Sequence, residues 1–376
     1  MSLIHLHLED FRSFAEVDFH PDPDGTTVIT GSNGTGKTTL LEALAYLGTQ
    51  RSFRGAPREV MVRAGTERAI VRAQLTRDEL PVLVEAEIVT RGRSRAQVNR
   101  QPARTRRDLA EAVRITVFSP DDLAVVRGGP GNRRDVLDDA LRVLDHQVAA
   151  QMDEVDRALR QRAALLRQAG GRLTPEVEMT LGVWDERLSG AGSALALARE
   201  RFVRELAPLV DESYESLAGS PAARAIPDPG NPSVTMSYRR SWEGDLVAAL
   251  GRARKEDLQR GLTSLGPHRD DLVIGLMGRD TRHQASQGEQ RSVAVALRLG
   301  VHHLIAARTG DPPILLLDDV FSELDPARSR ALVHLLPPGQ ALLTTAVPLP
   351  AGVRVGATVD VQGLRRGEDR RGGSPR

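Results

Sequence analysis

The 376-residue chain contains no cysteine, so it has neither a disulfide framework nor a thiolate metal site, and a reducing compartment suits it. Lysine is nearly absent too. Only Lys37 and Lys255 occur among 51 basic residues, and the rest are arginine, a bias that reads as genome composition rather than design. No run of 18 apolar residues occurs, which leaves no helix to span a membrane. Met1–Asp10 lacks the basic start and apolar stretch of a signal peptide. The net charge is only +1, so the chain is no polycation, and any nucleic-acid site must be local. These absences predict a soluble, cytoplasmic protein with no membrane segment. Its length and 40% hydrophobic content suffice for two or three domains.

Against that background Lys37 stands out. It closes Gly31-Ser32-Asn33-Gly34-Thr35-Gly36-Lys37-Thr38, a match to the phosphate-binding pattern G-x-x-x-x-G-K-[ST], and Thr39 follows. The confirming context is present. Thr26–Thr30 is short, β-branched and apolar, as a buried strand is, and Leu40, Leu41, Leu44 and Leu47 then recur at helical spacing, with Gly48 able to close the helix. A strand, a glycine loop and a helix start aim backbone N–H groups and the positive helix end at a polyphosphate. Lys37 is expected on the β- and γ-phosphates of ATP, and the Thr38 hydroxyl on magnesium.

A second carboxylate-bearing strand should complete such a site. Pro313–Val320 is a continuous apolar run, as central parallel strands are, and it ends in Asp318 and Asp319. Asp318 is expected to bind Mg2+ through water, and Asp319 to polarise the attacking water, which with Lys37 makes the catalytic pair. Ser322–Asp325 and Pro326 then lead into a helix.

Residues 285–291, Ala-Ser-Gln-Gly-Glu-Gln-Arg, are a donor-rich turn ahead of Val293, Ala294, Val295, Leu297 and Leu299. They hold no nucleophile paired with a base and no metal cluster. The turn resembles the signature motif of the ATP-binding-cassette superfamily, which binds the γ-phosphate of ATP held by a second subunit. That resemblance makes Ser286, Gln287, Gly288 and Glu289 a site completed in trans, with the helix dipole behind them. A helix cap without a ligand is the alternative.

The opening LIHLHLEDFRSF resembles that of the SMC-like chromosome-maintenance ATPases, and the resemblance adds Arg12 to the ATP-binding residues. Together with FSPDDL (118–123), GNRRDVLD (131–138), GPHRDDL (266–272), SQGEQR and LLLDDVFSELD (315–325), the chain resembles the RecF family of bacterial recombination mediators, from the first strand to about residue 345. The resemblance implies an α/β ABC-type P-loop ATPase core with an antiparallel β region and an inserted, mostly helical second lobe. It implies ATP and Mg2+ as cofactors and an ATP-dependent homodimer. Implied partners are duplex, gapped or junction DNA and the RecR and RecO proteins, for recombinase loading at gaps. Three departures stand out. Ser119-Pro120-Asp121-Asp122 occupies the place of a magnesium-reading glutamine. Asp319 replaces the usual glutamate, consistent with slow hydrolysis. Thr344 and Thr345 stand where a switch histidine is expected.

The expected organisation is an ATPase part over 1–126, a helical insertion and linker over 127–232, a second ATPase part over 233–363, and a disordered tail over 364–376. Residues 82–89 and 96–100 read as paired strands joined by an arginine-rich turn. Residues 91–107 hold seven arginines and no acid, and no aromatic for base stacking. Arg93, Arg95 and Arg104 are therefore candidates for duplex phosphates, against a merely solvated hairpin. Arg133 and Arg134 are further candidates, because a helix start disfavours cations and Asp135 and Asp138 could simply offset them. The segment Gly266–Asp271 has no nucleophile beside its histidine and reads as a structural or dimer-contact loop.

Two other classes remain open. An ATP-driven nuclease of the overcoming-lysogenization-defect type carries a Toprim domain after its core, and only about 50 residues follow Asp325 here. A transporter's ATPase subunit would bind no duplex DNA.

Overall fold

The computed structural model describes residues 1–218 and 232–365. The chain divides into two compact units, one of residues 1–123, 212–218 and 286–365, the other of residues 124–211 and 232–285.

The first unit is built on two sheets. One is parallel and five-stranded, in the order Val355–Asp360, Thr26–Thr30, Ala341–Thr344, Ile314–Asp318, Ile115–Phe118. Its strand Ile314–Asp318 is buried at every position, as a strand covered on both faces must be. The other sheet is antiparallel and six-stranded, running from Phe14–Phe19 through Ser2–Phe11, Arg68–Arg77, Leu80–Val89 and Arg95–Val98 to Gln101–Pro102. Helix Lys37–Thr49 packs against strands of both sheets. It buries Leu40, Leu41, Ala43, Leu44, Ala45, Tyr46 and Leu47, so it is apolar nearly all round. The helix does not close at Gly48 as its sequence suggested. Gly48 is buried where a Cβ would come within 2.5 Å of the Val113 carbonyl oxygen, and Gln50 takes the left-handed cap with φ 56°.

The second unit contains helices Pro130–Leu144, His146–Ala169 and Leu246–Arg260, and most of the long helix Pro175–Ala218. With them goes a three-stranded antiparallel sheet of Val234–Arg239, Asp271–Leu276 and Arg279–Asp280. Its interior is partly ionic. Arg162, fully buried, donates to Asp185 at 2.8 Å and to Asp257 at 2.7 Å, and Arg254 adds two bonds to Asp185. Removing one member of such a cluster leaves a buried charge unpaired, at a cost of about 3–5 kcal/mol.

This division corrects the boundary expected at residue 232. Residues 233–285 do not resume the ATPase part: Val234–Arg239 pairs with Asp271–Leu276, both in the second unit. Most of the expected linker (219–231) and all but the start of the expected tail lie outside the described residues; Val361–Arg365 forms a short helix.

Candidate nucleotide site and arginine surface

The phosphate cradle follows from three glycines. Gly36 holds φ 107° at the start of helix Lys37–Thr49, a conformation closed to other residues at low cost, and no side chain caps the helix there. The first-turn N–H groups therefore point outward without a capping oxygen. Gly31, at φ 143°, has the Thr35 hydroxyl within 2.8 Å of where a Cβ would sit. Gly34 is also at positive φ, 80°. Within this loop Lys37 curls back, its ammonium 2.7 Å from the Gly31 carbonyl oxygen and 3.1 Å from that of Ser32. Ser32 also accepts from the Thr35 hydroxyl, and Asn33 lies exposed at the loop's outer edge.

The carboxylates meet this loop from the neighbouring strands. Thr38 Oγ1 donates to Asp318 Oδ1 at 2.7 Å, and Thr344 Oγ1 donates to the same oxygen at 2.7 Å. Burial pushes the Asp318 carboxyl above its ordinary range; the two hydroxyls and the charge of Arg54 pull it down, and Asp319 pushes it up. A divalent cation beside this oxygen would favour its ionised form. The residues present thus fit magnesium, with Thr38 and Asp318 as the groups that would hold it. Asp319 sits at φ 49°, left-handed for a residue with a side chain, and its amide donates to the Thr344 hydroxyl at 3.0 Å. Its Oδ1 is buried without a hydrogen-bond partner among the described residues. An acceptor left unpaired at this price has room to take a proton from water.

Arg12 lies beside helix Lys37–Thr49 but is already engaged. Its guanidinium donates to both oxygens of the fully buried Glu42, at 2.9 Å through Nε, and Ser52 also donates to that carboxylate.

The signature turn takes the form of a closed helix cap. Ser286 Oγ accepts from the Glu289 amide at 3.3 Å, while the Glu289 carboxylate accepts from the Ser286 amide at 2.7 Å. Ser286 and Gln287 are exposed. Gly288 is hemmed in: Arg328 Nη1 lies 2.6 Å from where a Cβ would be. Arg291 then joins the turn's helix to the segment after Asp319, donating to the Glu323 carbonyl oxygen and pairing with its carboxylate. Asp122 ties the same helix to the end of strand Ile115–Phe118 through Arg298, at 2.6 Å.

The chain as a whole is similar to known proteins. The family model for the RecF/RecN/SMC N-terminal domain matches residues 2–343. The DNA replication and repair protein RecF of Streptomyces avermitilis is 40% identical over 363 residues, covering 92% of this chain and 93% of the relative. The protein of that name from Beutenbergia cavernae is 39% identical over 392 residues, covering 96% and 98%. The chain belongs to the RecF family. Among solved structures, that of the recombination mediator protein RecF with ATP, in the RecFOR pathway, superposes with a TM-score of 0.84 at 25% identity, covering 96% of this chain and 95% of that one. The ABC-type ATPase head expected from the sequence is thereby the fold of the first unit.

The arginine-rich stretch forms the hairpin that its strand and turn signals predicted. Leu80–Val89 pairs antiparallel with Arg95–Val98, Glu87 opposite Arg95. Arg91, Arg93, Arg95, Arg100 and Arg104 are exposed, and none has an ion-pair partner among the described residues. Arg133 is different. It is buried, and its guanidinium forms two bonds with Asp271 and two with the carbonyl oxygens of Val125 and Gly128. This withdraws Arg133 as a phosphate ligand: it is buried, and four of its five N–H donors are spent inside the second unit. Arg134 likewise donates to the Asp270 carbonyl oxygen. Asp138 pairs directly with Arg199 at 2.7 Å, and its charge also favours the nearby Arg134.

The segment Gly266–Asp271 is tied into the second unit by hydrogen bonds. His268 Nε2 lies 3.0 Å from the Thr263 carbonyl oxygen, and burial pushes its pKa down to about 4, so it is neutral at pH 7. Asp270 accepts from the Tyr238 hydroxyl and the Ser241 amide. Sequence reasoning did not foresee Thr344 on Asp318, Glu42 on Arg12 or Arg328 on Gly288. Only the first left a signal, as the threonine standing where a histidine is expected.

Proposed function

We propose that the chain is an ATP-switched, DNA-binding mediator of recombination and repair that works in the cytoplasm. ATP with Mg2+ supplies the charge that two chains can clamp between them. Gly31–Thr39 would bind the phosphates, with Lys37 leaving the loop carbonyls for them. Thr38 and Asp318 would hold the metal. Asp319 would orient and deprotonate the attacking water, with an arm shorter than glutamate's and hence slowly. Ser286–Glu289 of a second copy would close the site, making the dimer the DNA-binding state. Exposed, unpaired arginines of the hairpin would then take duplex phosphates at single-strand/duplex junctions in gapped DNA. RecR and RecO are the partners suggested by the RecFOR pathway of the solved relative, and recombinase loading is the outcome.

The observation that carries this reading is the meeting of Thr38 and Asp318 beside the unpartnered oxygen of Asp319. The deciding experiment measures binding to duplex, gapped and single-stranded DNA across a salt series, with and without ATP. The wild type should bind duplex-containing DNA tightly only with ATP. Replacing Arg93, Arg95 and Arg104 by Glu should weaken that binding and flatten the salt slope by roughly 0.9 per lost phosphate contact, with ATP affinity kept. An unchanged slope would leave the hairpin merely solvated, and no duplex binding at all would return the transporter-type reading.

A further inference from the structure

Away from the nucleotide, the edge of the six-stranded sheet gathers an unusual set of side chains. Strands Ser2–Phe11 and Phe14–Phe19 pair antiparallel with His7 opposite Asp18 and Glu9 opposite Glu16. Leu6, Leu8, Val17 and Phe19 turn inward to the core. By the period of two, His5, His7, Glu9, Glu16 and Asp18 therefore share the outer face. His20 joins them, its ring stacked on that of His5 with centroids 4.3 Å apart.

From this juxtaposition we infer a binding site for a divalent transition-metal ion of the zinc class, with His7, Asp18 and Glu16 as ligands and His5 as the residue that positions Asp18. The ligand atoms of His7, Glu16 and Asp18 all lie within 4.8 Å of one another. Bonds of about 2.0–2.2 Å to a common ion need separations below roughly 4.4 Å, so small rotamer shifts suffice. His5 Nε2 is 2.6 Å and His7 Nδ1 3.0 Å from the same oxygen, Asp18 Oδ1. When His7 turns to an ion, His5 keeps its hold on that carboxylate, in the manner of partners that orient metal ligands.

A second observation points the same way. Glu9 and Glu16 stand directly opposite each other, and neither has an ion-pair partner among the described residues. Like charges in that position destabilise a strand pair. On the adjoining strand, Arg72 opposite His7 is taken by Glu85, and Arg68 pairs with Glu87. A cation between the strands would relieve this repulsion. Imidazole selects zinc, copper or nickel over magnesium, so this is not a second magnesium site. Such an ion would pin the edge strand Phe14–Phe19 to its neighbour.

The test is zinc titration of the full chain by calorimetry in a large excess of magnesium, which saturates the nucleotide site. One zinc should bind per chain, and His7→Ala or Asp18→Asn should each weaken it by about 10-fold or more. Magnesium-dependent ATP binding should be unchanged in both variants. Cobalt gives a second readout: its visible absorption should report nitrogen and oxygen ligation in the wild type and be lost in His7→Ala. Zinc bound equally well by both variants, or no zinc bound at all, overturns the proposal.

Discussion

Two helices of this chain begin at a polar, glycine-bearing turn, and they begin in opposite ways. Helix Lys37–Thr49 starts at Gly36 with no side-chain cap, so its first amides meet no capping side chain. Helix Gln287–Thr309 starts at Ser286 with a complete capping box, and the carboxylate of Glu289 occupies the mouth of the turn. An open helix start costs stability, since a missing cap forgoes about 0.5–2 kcal/mol, and it persists where a ligand supplies the missing acceptor. The P-loop is thus ready for phosphate within one chain. The signature turn satisfies itself, and in the proposed dimer a partner's phosphate would have to compete with an internal carboxylate.

The comparison breaks most visibly at the chemistry that the open site serves. Asp319→Asn should lower ATP hydrolysis by roughly 10²–10⁴-fold while nucleotide affinity stays within a few-fold. Asparagine tolerates the left-handed φ of 49° found there, so the backbone survives the change. Phosphate release measured beside nucleotide titration checks it. Hydrolysis at the wild-type rate would remove Asp319 from the role of base.

Next in size is the cradle itself. Lys37→Ala removes the one ammonium aimed into the loop and should weaken ATP binding by about 100-fold, a loss in keeping with charge-assisted bonds of about 1.5–3 kcal/mol. Lys37→Arg should bind better than Lys37→Ala yet hydrolyse poorly, because guanidinium is bulkier and planar. Unchanged affinity in Lys37→Ala would sink the P-loop assignment.

The open site was legible in the sequence because its parts are local or end a recognisable element. Gly31–Thr38 is one loop, and Asp318 and Asp319 end one apolar strand, so neighbouring residues carry the signal. What was not legible depends on distance along the chain. Arg133 looked like a stray cation at a helix start, but its partner Asp271 lies 138 residues away. Strand Val234–Arg239 read as the resumption of the ATPase part, and only its pairing with Asp271–Leu276 assigns it to the second unit. Gly48 read as a helix stop, whereas its reason is the Val113 carbonyl packed against it. Glycine's two uses, conformational freedom and close approach, look identical in a sequence.

The closed site is tested by bulk. Ser286→Arg leaves the P-loop face untouched, so ATP binding by the monomer should be kept while ATP-induced dimerisation is lost in sedimentation with a non-hydrolysable analogue. In the proposed dimer each site takes Asp319 from one chain and Ser286 from the other. Mixing Ser286→Arg with Asp319→Asn therefore makes heterodimers with one doubly defective site and one intact site. Such mixtures should recover part of the activity, and a Ser286→Arg protein that dimerises and hydrolyses normally would make the turn a helix cap and nothing more.

The smallest effect is the most discriminating. Glu289→Gln keeps an amide oxygen to accept from the Ser286 amide, so the capping box and the thermal midpoint should change little. What it removes is a negative charge where a partner's phosphate would arrive. If the cap competes with that phosphate, the variant should dimerise with ATP at several-fold lower protein concentration than the wild type, and the gain should shrink as salt screens the repulsion. If the turn never meets a phosphate, neutralising Glu289 has no charge to relieve and the association curve should not move. The direction separates the readings even though the shift is modest: a stabilising cap alone predicts no gain, and only a carboxylate that stands in a phosphate's place predicts one.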